Sequence, residues 1–332
     1  MKTVRMGRTG LKVSEICLGT MTFGYQCDEK TSFAIMGKAA EQGVYFIDTA
    51  DVYPVPPSVE TAGRTEEIVG RWLKGQRDRF VLATKCRMKV GPGTNDEGLS
   101  RRHIIQAVDD SLRRLQTDYI DLYQPHSFDA ETPIDETLRA LDDVVRQGKV
   151  RYLGCSNFPA WQVAIALGVS AAHEWARFDC VQPRYNLLHR DIEVELLPLC
   201  RDQGVGVIAY NPLAGGFLTG KYQSLEAPPP EKTRFSLGKT GDLYRERYWQ
   251  QSQLDAVQDL KKFFQPRGKS LTQVAVAWVL AQPGITSAIV GASKPEQLDA
   301  TLAAVNVTLD ADEKDACHRA WFDLPRPLTP AR

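Results

Sequence analysis

The sequence lacks long apolar runs, an excess of charge of either sign, and paired-cysteine motifs, and each absence excludes a class of protein. No apolar run reaches the roughly 18 residues that a membrane-spanning helix needs, and the first stretch, MKTVRMGRTGLKVSEICLG, lacks the apolar core of a secretion signal. The 41 basic residues balance the 41 acidic ones, so no general attraction to nucleic acid or to an anionic membrane is expected. We therefore predict neither membrane insertion nor a nucleic-acid partner.

Metal-binding and disulfide patterns are also missing. The seven cysteines are odd in number, form no CxxC motif, and do not pair with any of the five histidines at metal-finger spacing. The simplest interpretation is a cytoplasmic protein without a metal site, with reduced thiols that are mostly small buried apolar groups.

The chain instead shows a regular alternation of apolar and amphipathic segments. Strands are predicted at Ile16–Gly19, Tyr45–Ile47, Phe80–Ala83, Ile120–Tyr123, Arg151–Gly154, Cys180–Gln182, Gly206–Ala209 and Ser287–Val290. Helices are predicted between them, at Thr31–Glu41, Thr65–Lys74, Ser100–Arg114, Ile134–Gln147, Trp161–Ala166, Ile192–Arg201, Leu271–Ala281 and Pro295–Ala303. Alternating strands and helices indicate a parallel sheet, and eight such units in 332 residues predict a (β/α)8 TIM barrel, a single α/β domain over residues 1–332.

Two segments depart from this alternation. Residues Lys2–Ser14 contain a glycine turn between short polar and apolar pieces, and we predict a hairpin that caps the bottom of the barrel. Residues Tyr222–Tyr248 form an insertion after the seventh strand, in which the prolines and scattered glycines of APPPEKTRFSLGKTG argue against a helix.

Polar residues gather at the carboxyl ends of the predicted strands, where catalysis takes place in such barrels. We take this concentration on one face as a predicted site. In strand order, the residues are Gly19-Thr20-Met21, Asp48, Thr84-Lys85, Gln124-Pro125-His126, Ser156-Asn157, Gln182, Tyr210-Asn211 and Gly291-Ala292-Ser293-Lys294.

Four of these neighbouring side chains suggest proton transfer. Lys85 stays charged if it is buried beside Asp48, because the carboxylate offsets its desolvation. A charged ammonium near Tyr53 favours the phenolate and makes the phenol a usable proton donor near neutral pH. His126 comes from the adjacent strand and can hydrogen-bond a carbonyl oxygen at the same point. This set suits carbonyl reduction with a hydride supplied by a cofactor.

Each of the four also has an ordinary structural alternative when it is taken alone. Asp48 can cap a turn, Tyr53 can anchor a loop, Lys85 can extend to solvent, and His126 can be a hydrogen-bonded structural histidine. Their joint position at consecutive strand ends favours the functional interpretation.

The sequence resembles the aldo-keto reductase family over nearly its whole length. The resemblance rests on GLKVSEICLGTMTFG, FIDTADVY, the LATK strand, SLRRLQTDYIDLYQPH, GKVRYLGCSNF, AYNPLAGGFLTGKY and IVGASKPEQL. The YPVPP segment and the long insertion are similar to the potassium-channel-β-subunit-like and bacterial branches. The resemblance implies a barrel that binds NADP(H) without a Rossmann domain, and the chain has no GxGxxG motif.

By this resemblance, Asp48, Tyr53, Lys85 and His126 are the catalytic residues. Ser156, Asn157 and Gln182 would hold the nicotinamide carboxamide, and Tyr210 would stack on its ring. Asp48 is also implied in cofactor binding. The remaining cofactor residues implied are Gly19, Thr20, Met21, Asn211, Pro212, Leu213, Ala214 and Gly215 with Lys221 and Arg234 near phosphates, and Gly291, Ser293, Lys294 and Gln297 near the 2′-phosphate. The insertion, residues 222–248, would close over the cofactor, with a passive surface loop as the alternative.

Three positions depart from the family pattern. Ala300-Thr301 replaces a usual Glu-Asn pair at the adenine, Lys294 replaces a common arginine, and Pro125 replaces an aliphatic residue. The first two changes suggest a lower affinity for the cofactor.

The sequence thus predicts an NADPH-dependent reductase of small-molecule aldehydes or ketones. The rival function is an NADP(H)-binding, redox-sensing regulatory subunit with slow turnover; a barrel hydrolase would need metal ligands or paired carboxylates at strand ends, which the sequence lacks. The substrate pocket is predicted to be partly aromatic, and the sequence is compatible with an oligomer without specifying one. Candidate pocket residues are Phe23, Tyr25, Val55, Met88, Phe128 and Trp161.

Overall fold

The computed structural model describes residues 1–325, and its central feature is a closed barrel of eight parallel strands. The last strand pairs with both the first and the seventh, which closes the sheet and confirms the predicted (β/α)8 TIM barrel. The strands are β1 (Thr3–Arg5) and β2 (Lys12–Ser14) of a separate hairpin, then the barrel strands β3 (Ile16–Gly19), β4 (Phe46–Asp48), β5 (Val81–Cys86), β6 (Ile120–Pro125), β7 (Val150–Ser156), β8 (Phe178–Gln182), β9 (Gly206–Ala209) and β10 (Ser287–Gly291).

Each barrel strand is followed along the chain by at least one helix. No helix in residues 1–325 is long and apolar enough to cross a membrane. The helices are α1 (Glu29–Glu41), α2 (Arg64–Leu73), α3 (Arg101–Leu115), α4 (Ile134–Arg146), α5 (Ala160–His173), α6 (Leu196–Gln203), α7 (Gly238–Tyr248), α8 (Gln251–Phe264), α9 (Leu271–Leu280), α10 (Gln297–Ala303) and α11 (Ala311–Phe322).

Helix α3 shows how local sequence sets an element of the barrel. The Ser100 hydroxyl accepts the backbone N–H of His103 and so satisfies one of the free donors of the first turn. Ile104, Val108 and Leu115 recur at helical spacing and are all buried. The capping residue and this apolar stripe together fix the start and the orientation of the helix, as predicted.

The hairpin packs at the amino ends of the barrel strands, as predicted. Met6 and Val13 are fully buried in one apolar cluster with barrel residues such as Phe46 and Leu122. Gly206, at the start of β9, allows this approach, because a Cβ there would lie 2.6 Å from the Met6 sulfur. The amino ends of the strands are therefore closed by apolar packing.

The chain forms two compact units. The first contains Met1–Arg184, Ile192–Tyr210 and Pro283–Asp299, and so holds the hairpin, all barrel strands and helices α1–α6. The second contains Tyr185–Asp191, Asn211–Gln282 and the described residues from Ala300 onward, and in it α8 packs against α11. The prediction of a single domain stays a prediction.

The prediction that the insertion contains no helix is wrong. A 3₁₀ turn at Arg234–Ser236 leads into α7, although the three prolines before it are not helical. Gly241, which the sequence suggested as a helix breaker, has a packing role, because a Cβ there would lie 2.7 Å from the Phe235 carbonyl oxygen. Helices α8 and α11 were also missed, and α5 extends seven residues beyond its predicted end, Ala166, to His173.

Candidate active site

A fully buried ion pair lies at the carboxyl ends of β4 and β5. Lys85 Nζ lies 2.5 Å from Asp48 Oδ2, and it also donates a hydrogen bond of 2.7 Å to the Thr49 carbonyl oxygen. The exposed fraction is 0% for the Lys85 side chain and 4% for Asp48. Lys85 therefore does not extend to solvent, which overturns the structural alternative for this residue.

The charge on this lysine depends on its neighbour. Burial acts to lower the pKa of Lys85, but the charges of Asp48 and Tyr53 and the hydrogen bond to Asp48 outweigh it, and the pKa is raised above its ordinary value. Lys85 is thus an ammonium ion at neutral pH at a point closed to bulk solvent.

The second carboxylate oxygen of Asp48 is held by glutamine side chains. Gln182 Nε2 donates to Asp48 Oδ1 at 2.8 Å, and Gln124 Nε2 lies 3.5 Å from the same oxygen. The Asp48 side chain thus bonds residues of β5, β6 and β8 across the barrel, and these bonds do not cap a turn. Gln124, which the sequence placed among the polar strand-end residues without a role, is therefore a member of the site; it lies two residues after Leu122 along β6 and, like Leu122, is fully buried.

Tyr53 and His126 lie beside this pair. The Lys85 Nζ atom is 5.3 Å from the centre of the Tyr53 ring, and the His126 ring is 5.7 Å from it, edge to face. Burial lowers the pKa of His126 well below its ordinary range, and the cations Lys85 and Arg87 lower it further. His126 is therefore a neutral imidazole at physiological pH. The structure brings all four predicted catalytic residues together.

The residues predicted to hold a nicotinamide form a continuous hydrogen-bonded chain in the first unit. Ser156 Oγ donates to the Gln182 carbonyl at 2.9 Å, and Asn157 Nδ2 donates to the His126 carbonyl at 2.9 Å. The Tyr210 hydroxyl donates to Asn157 Oδ1 at 2.7 Å. This chain fixes the polar groups around His126 before any ligand binds.

The loop after β3 also lies next to Asp48. Thr20 donates from its N–H and its hydroxyl to the Asp48 carbonyl, at 3.1 and 2.9 Å. Gly19 sits against β10, where a Cβ would lie 2.7 Å from Ile289. The Met21 carbonyl accepts the N–H of Val55, which ties this loop to the segment after Tyr53.

The predicted 2′-phosphate residues form a separate group after β10. Gly291 ends that strand, and Ser293 donates its backbone N–H to Gln297 Oε1 at 2.8 Å. Lys294 is exposed.

In the second unit, Asn211–Gly215 forms a tight turn that includes Pro212, Leu213 and Ala214. Gly215 donates its N–H to Asn211 Oδ1 at 2.6 Å, and Asn211 itself has a φ of +63°. Two cations flank the glycines. Lys221 Nζ would lie 3.6 Å from a Cβ placed on Gly216, and Arg234 Cγ would lie 3.5 Å from a Cβ placed on Gly215.

The predicted substrate-pocket residues are divided. Phe23 has no exposed surface and offers none to a substrate, whereas Tyr25 and Trp161 are more than half exposed. Phe128 and Trp161 line a groove of about 300 Å³ beside α4 and α5, with ring centres 6.3 Å apart. Val55 is buried, and Met88 contacts Arg87.

Known proteins share this sequence pattern over almost its full length. The sequence model of the Aldo/keto reductase family matches residues 15–321. The chain is 42% identical to an uncharacterized oxidoreductase, YrpG, of Bacillus subtilis, over 94% of this chain and 93% of that protein. It is 38% identical to a probable voltage-gated potassium channel subunit beta of Arabidopsis thaliana, over 92% of each chain.

A fungal enzyme is similar to a comparable degree. The versiconal hemiacetal acetate reductase of Aspergillus parasiticus is 35% identical over 94% of this chain and 95% of the enzyme. A family match that spans most of the barrel, together with relatives above 30% identity over nearly their full length, shows the kinship. The chain belongs to the aldo/keto reductase family of oxidoreductases.

Proposed function

We propose that this protein reduces aldehydes or ketones to alcohols with NADPH, and that Tyr53 donates the proton. The observation that supports this most is the buried Lys85–Asp48 pair beside the Tyr53 ring. A cation kept dry and charged at this point stabilises the negative charge that develops on a phenol oxygen as it gives up its proton.

Each residue of the site has a defined part in this reaction. When bound, the nicotinamide cofactor supplies the hydride that is added to the carbonyl carbon. The Tyr53 hydroxyl gives its proton to the carbonyl oxygen and becomes a phenolate beside Lys85, until water returns the proton. His126, neutral because of its lowered pKa, donates an N–H to the same carbonyl oxygen and orients the substrate. Asp48 keeps Lys85 charged.

The chain offers suitable groups for a phosphate-bearing cofactor. In the second unit, the side-chain-free backbone of Gly215 and Gly216 lies beside Lys221 and Arg234, a combination of small surface and positive charge that suits phosphate oxygens. Partial desolvation lowers the pKa of Lys221, so a bound anion would be favourable there. In the first unit, we propose that Ser156, Asn157 and Gln182 bind the nicotinamide carboxamide.

Replacing Tyr53 by phenylalanine tests the proton donor. Tyr53→Phe is expected to lower kcat by roughly 100-fold or more, the usual scale for general acid catalysis, while NADPH binding persists. Tyr45→Phe is the matched control, because it removes a tyrosine hydroxyl that bonds Thr3 instead of lying in the site. Tyr45 immediately precedes β4, the strand whose carboxyl end leads to Tyr53. Steady-state NADPH oxidation with a panel of aldehydes gives both rates. Full kcat in Tyr53→Phe would refute the assignment.

The rival proposal is a cofactor-binding regulatory subunit with slow turnover. The 38% identity to a protein named as a probable potassium channel subunit beta favours it. The same aldehyde panel separates the two, since a regulatory subunit would bind NADPH tightly yet oxidise it slowly with every carbonyl offered.

A further inference from the structure

The turn Asn211–Gly215 is held by a buried tyrosine on the insertion helix. Tyr248, the last residue of α7, is 1% exposed. Asn211 Nδ2 donates to the Tyr248 hydroxyl at 3.1 Å, and Asn186 Nδ2 donates to the same oxygen at 3.0 Å. One phenol oxygen therefore joins three segments of the second unit: α7, the turn, and the stretch around Asn186.

The asparagine at the start of the turn is fixed at both ends of its side chain. Asn211 Oδ1 accepts the Gly215 N–H at 2.6 Å, while its Nδ2 bonds Tyr248. The Asn211 carbonyl in turn accepts a bond of 3.1 Å from the fully buried Asn186. Asn211 has a left-handed φ of +63°, which is uncommon outside glycine and needs such support.

A second tyrosine, one helical turn earlier on α7, contacts the other end of the turn. The Tyr244 ring lies so close to Gly215 that a Cβ there would be 2.6 Å from it, and the Tyr244 hydroxyl accepts a hydrogen bond from Arg234 at 3.2 Å. Residues four apart share a helix face, so one face of α7 supports the turn at Asn211 and at Gly215. Helix α7 is thus part of the turn's framework.

From these contacts we propose that Tyr248 is a positioning residue for a diphosphate-binding turn, acting through Asn211. This inference rests on the proposed function, because the diphosphate is that of the dinucleotide cofactor. The hydroxyl fixes Asn211, Asn211 fixes the Gly215 amide, and the backbone of Gly215 and Gly216 stays open beside Lys221 and Arg234. Without the hydroxyl, the half-buried Asn211 Nδ2 loses this partner and the turn loosens.

The test compares two buried tyrosines of the insertion. Tyr248→Phe removes the bridging hydroxyl, whereas Tyr222→Phe removes a buried hydroxyl that makes no hydrogen bond to the turn among residues 1–325. Both proteins are titrated with NADPH by fluorescence, with inorganic pyrophosphate as a competitor, and with 2′-AMP, which has no diphosphate. Thermal unfolding checks that both remain folded.

Tyr248→Phe is expected to raise the Kd for NADPH and for pyrophosphate about fivefold to tenfold, with 2′-AMP binding unchanged, as one or two lost hydrogen bonds imply. Tyr222→Phe should bind all three like the wild type. The KM for NADPH should rise in Tyr248→Phe, while kcat at saturating cofactor holds. If Tyr248→Phe does not fold, Asn186→Ser, which removes the second amide on the same hydroxyl, is expected to show the same ligand pattern.

Three results would overturn the inference. Wild-type affinity for NADPH in the folded Tyr248→Phe protein overturns it and leaves the proposed function intact. If Tyr248→Phe weakens 2′-AMP binding as much as NADPH binding, the substitution has loosened the protein generally, and Tyr248 has no specific positioning role at the turn. A wild type that binds neither NADPH nor pyrophosphate overturns this inference and the proposed cofactor together.

Discussion

Replacing Asp48 by asparagine tests whether the carboxylate keeps Lys85 charged. Asparagine has no charge and carries one oxygen and one NH2 group, so either Lys85 Nζ or Gln182 Nε2 would face a donor where an acceptor stood. Removing one partner of a buried pair costs about 3–5 kcal/mol, and the 0% exposure of Lys85 places this pair in that class. We expect a loss of this size near neutral pH.

The pH dependence of this loss gives the sharper test. In the wild type the folded-state pKa of Lys85 is raised, so its contribution to stability is complete below the unfolded value of 10.5 and is lost only as pH rises through the folded value. In Asp48→Asn burial dominates, and the folded-state pKa should fall below 10.5. Between that lowered pKa and 10.5 the variant should gain up to about 1.4 kcal/mol per pH unit, because its unfolded state binds the extra proton.

The assay is urea denaturation of both proteins from pH 6 to pH 10, with kcat/KM for carbonyl reduction measured at the same points. The difference in stability should shrink as pH rises, and the alkaline limb of the rate profile should move to lower pH as the lysine loses its charge. A difference below about 1 kcal/mol that does not vary with pH would refute the argument.

Asp51→Asn is the matched control in the same DTAD stretch. Burial raises the pKa of Asp51 well above its ordinary range, and the charge of Glu66 raises it further. An acid with a raised folded-state pKa lowers stability as pH rises above its unfolded pKa, and an asparagine removes that penalty. Asp51→Asn should therefore leave stability at pH 7 unchanged or slightly higher, in contrast to Asp48→Asn.

Three further predictions concern His126, the 2′-phosphate and a second buried ion pair. Because its pKa is lowered well below 6.5, the His126 ring should show no NMR titration between pH 6.5 and 9; a midpoint inside that range would contradict a neutral orienting imidazole. Lys294→Ala should weaken NADPH binding by about 1.5–3 kcal/mol and leave NADH binding unchanged, and equal losses by fluorescence titration would exclude a 2′-phosphate contact. Arg114→Met should cost about 3–5 kcal/mol in urea denaturation, because Glu66, which is fully buried, keeps only its bond to Thr84; a loss under 1 kcal/mol would show that the pair contributes little.

The sequence alone determined the barrel, because the alternation of strands and helices is visible as a local pattern along the chain. Apolar runs that end on polar residues, separated by capped amphipathic helices, placed all eight barrel strands within a few residues of their observed bounds, and β3 and β9 at the observed bounds. Asp48, Lys85 and His126 could be grouped from the sequence for the same reason: each follows or ends a parallel strand, and parallel strands end at one face.

Local pattern did not predict the insertion. Glycine and proline there argued against a helix, whereas the structure uses Gly241 to bring α7 against the Phe235 backbone. That requirement comes from a contact between two segments, which propensity does not encode. The prediction assigned one helix to each barrel strand, and α8 and α11 are additional to that alternation. These two helices were therefore missed as well.

Tertiary structure also decided the charge states and the hydrogen-bond partners of the site. Gln182 and Gln124 contact Asp48 from β8 and β6. Both residues are far from Asp48 in the sequence, so local sequence patterns do not predict these contacts. Lys85 and His126 acquire their protonation states from burial and from nearby charges, which depend on distances of a few ångströms in the folded interior. The sequence specified which residues lie at the carboxyl ends of the barrel strands, and only the folded packing sets which of them are charged.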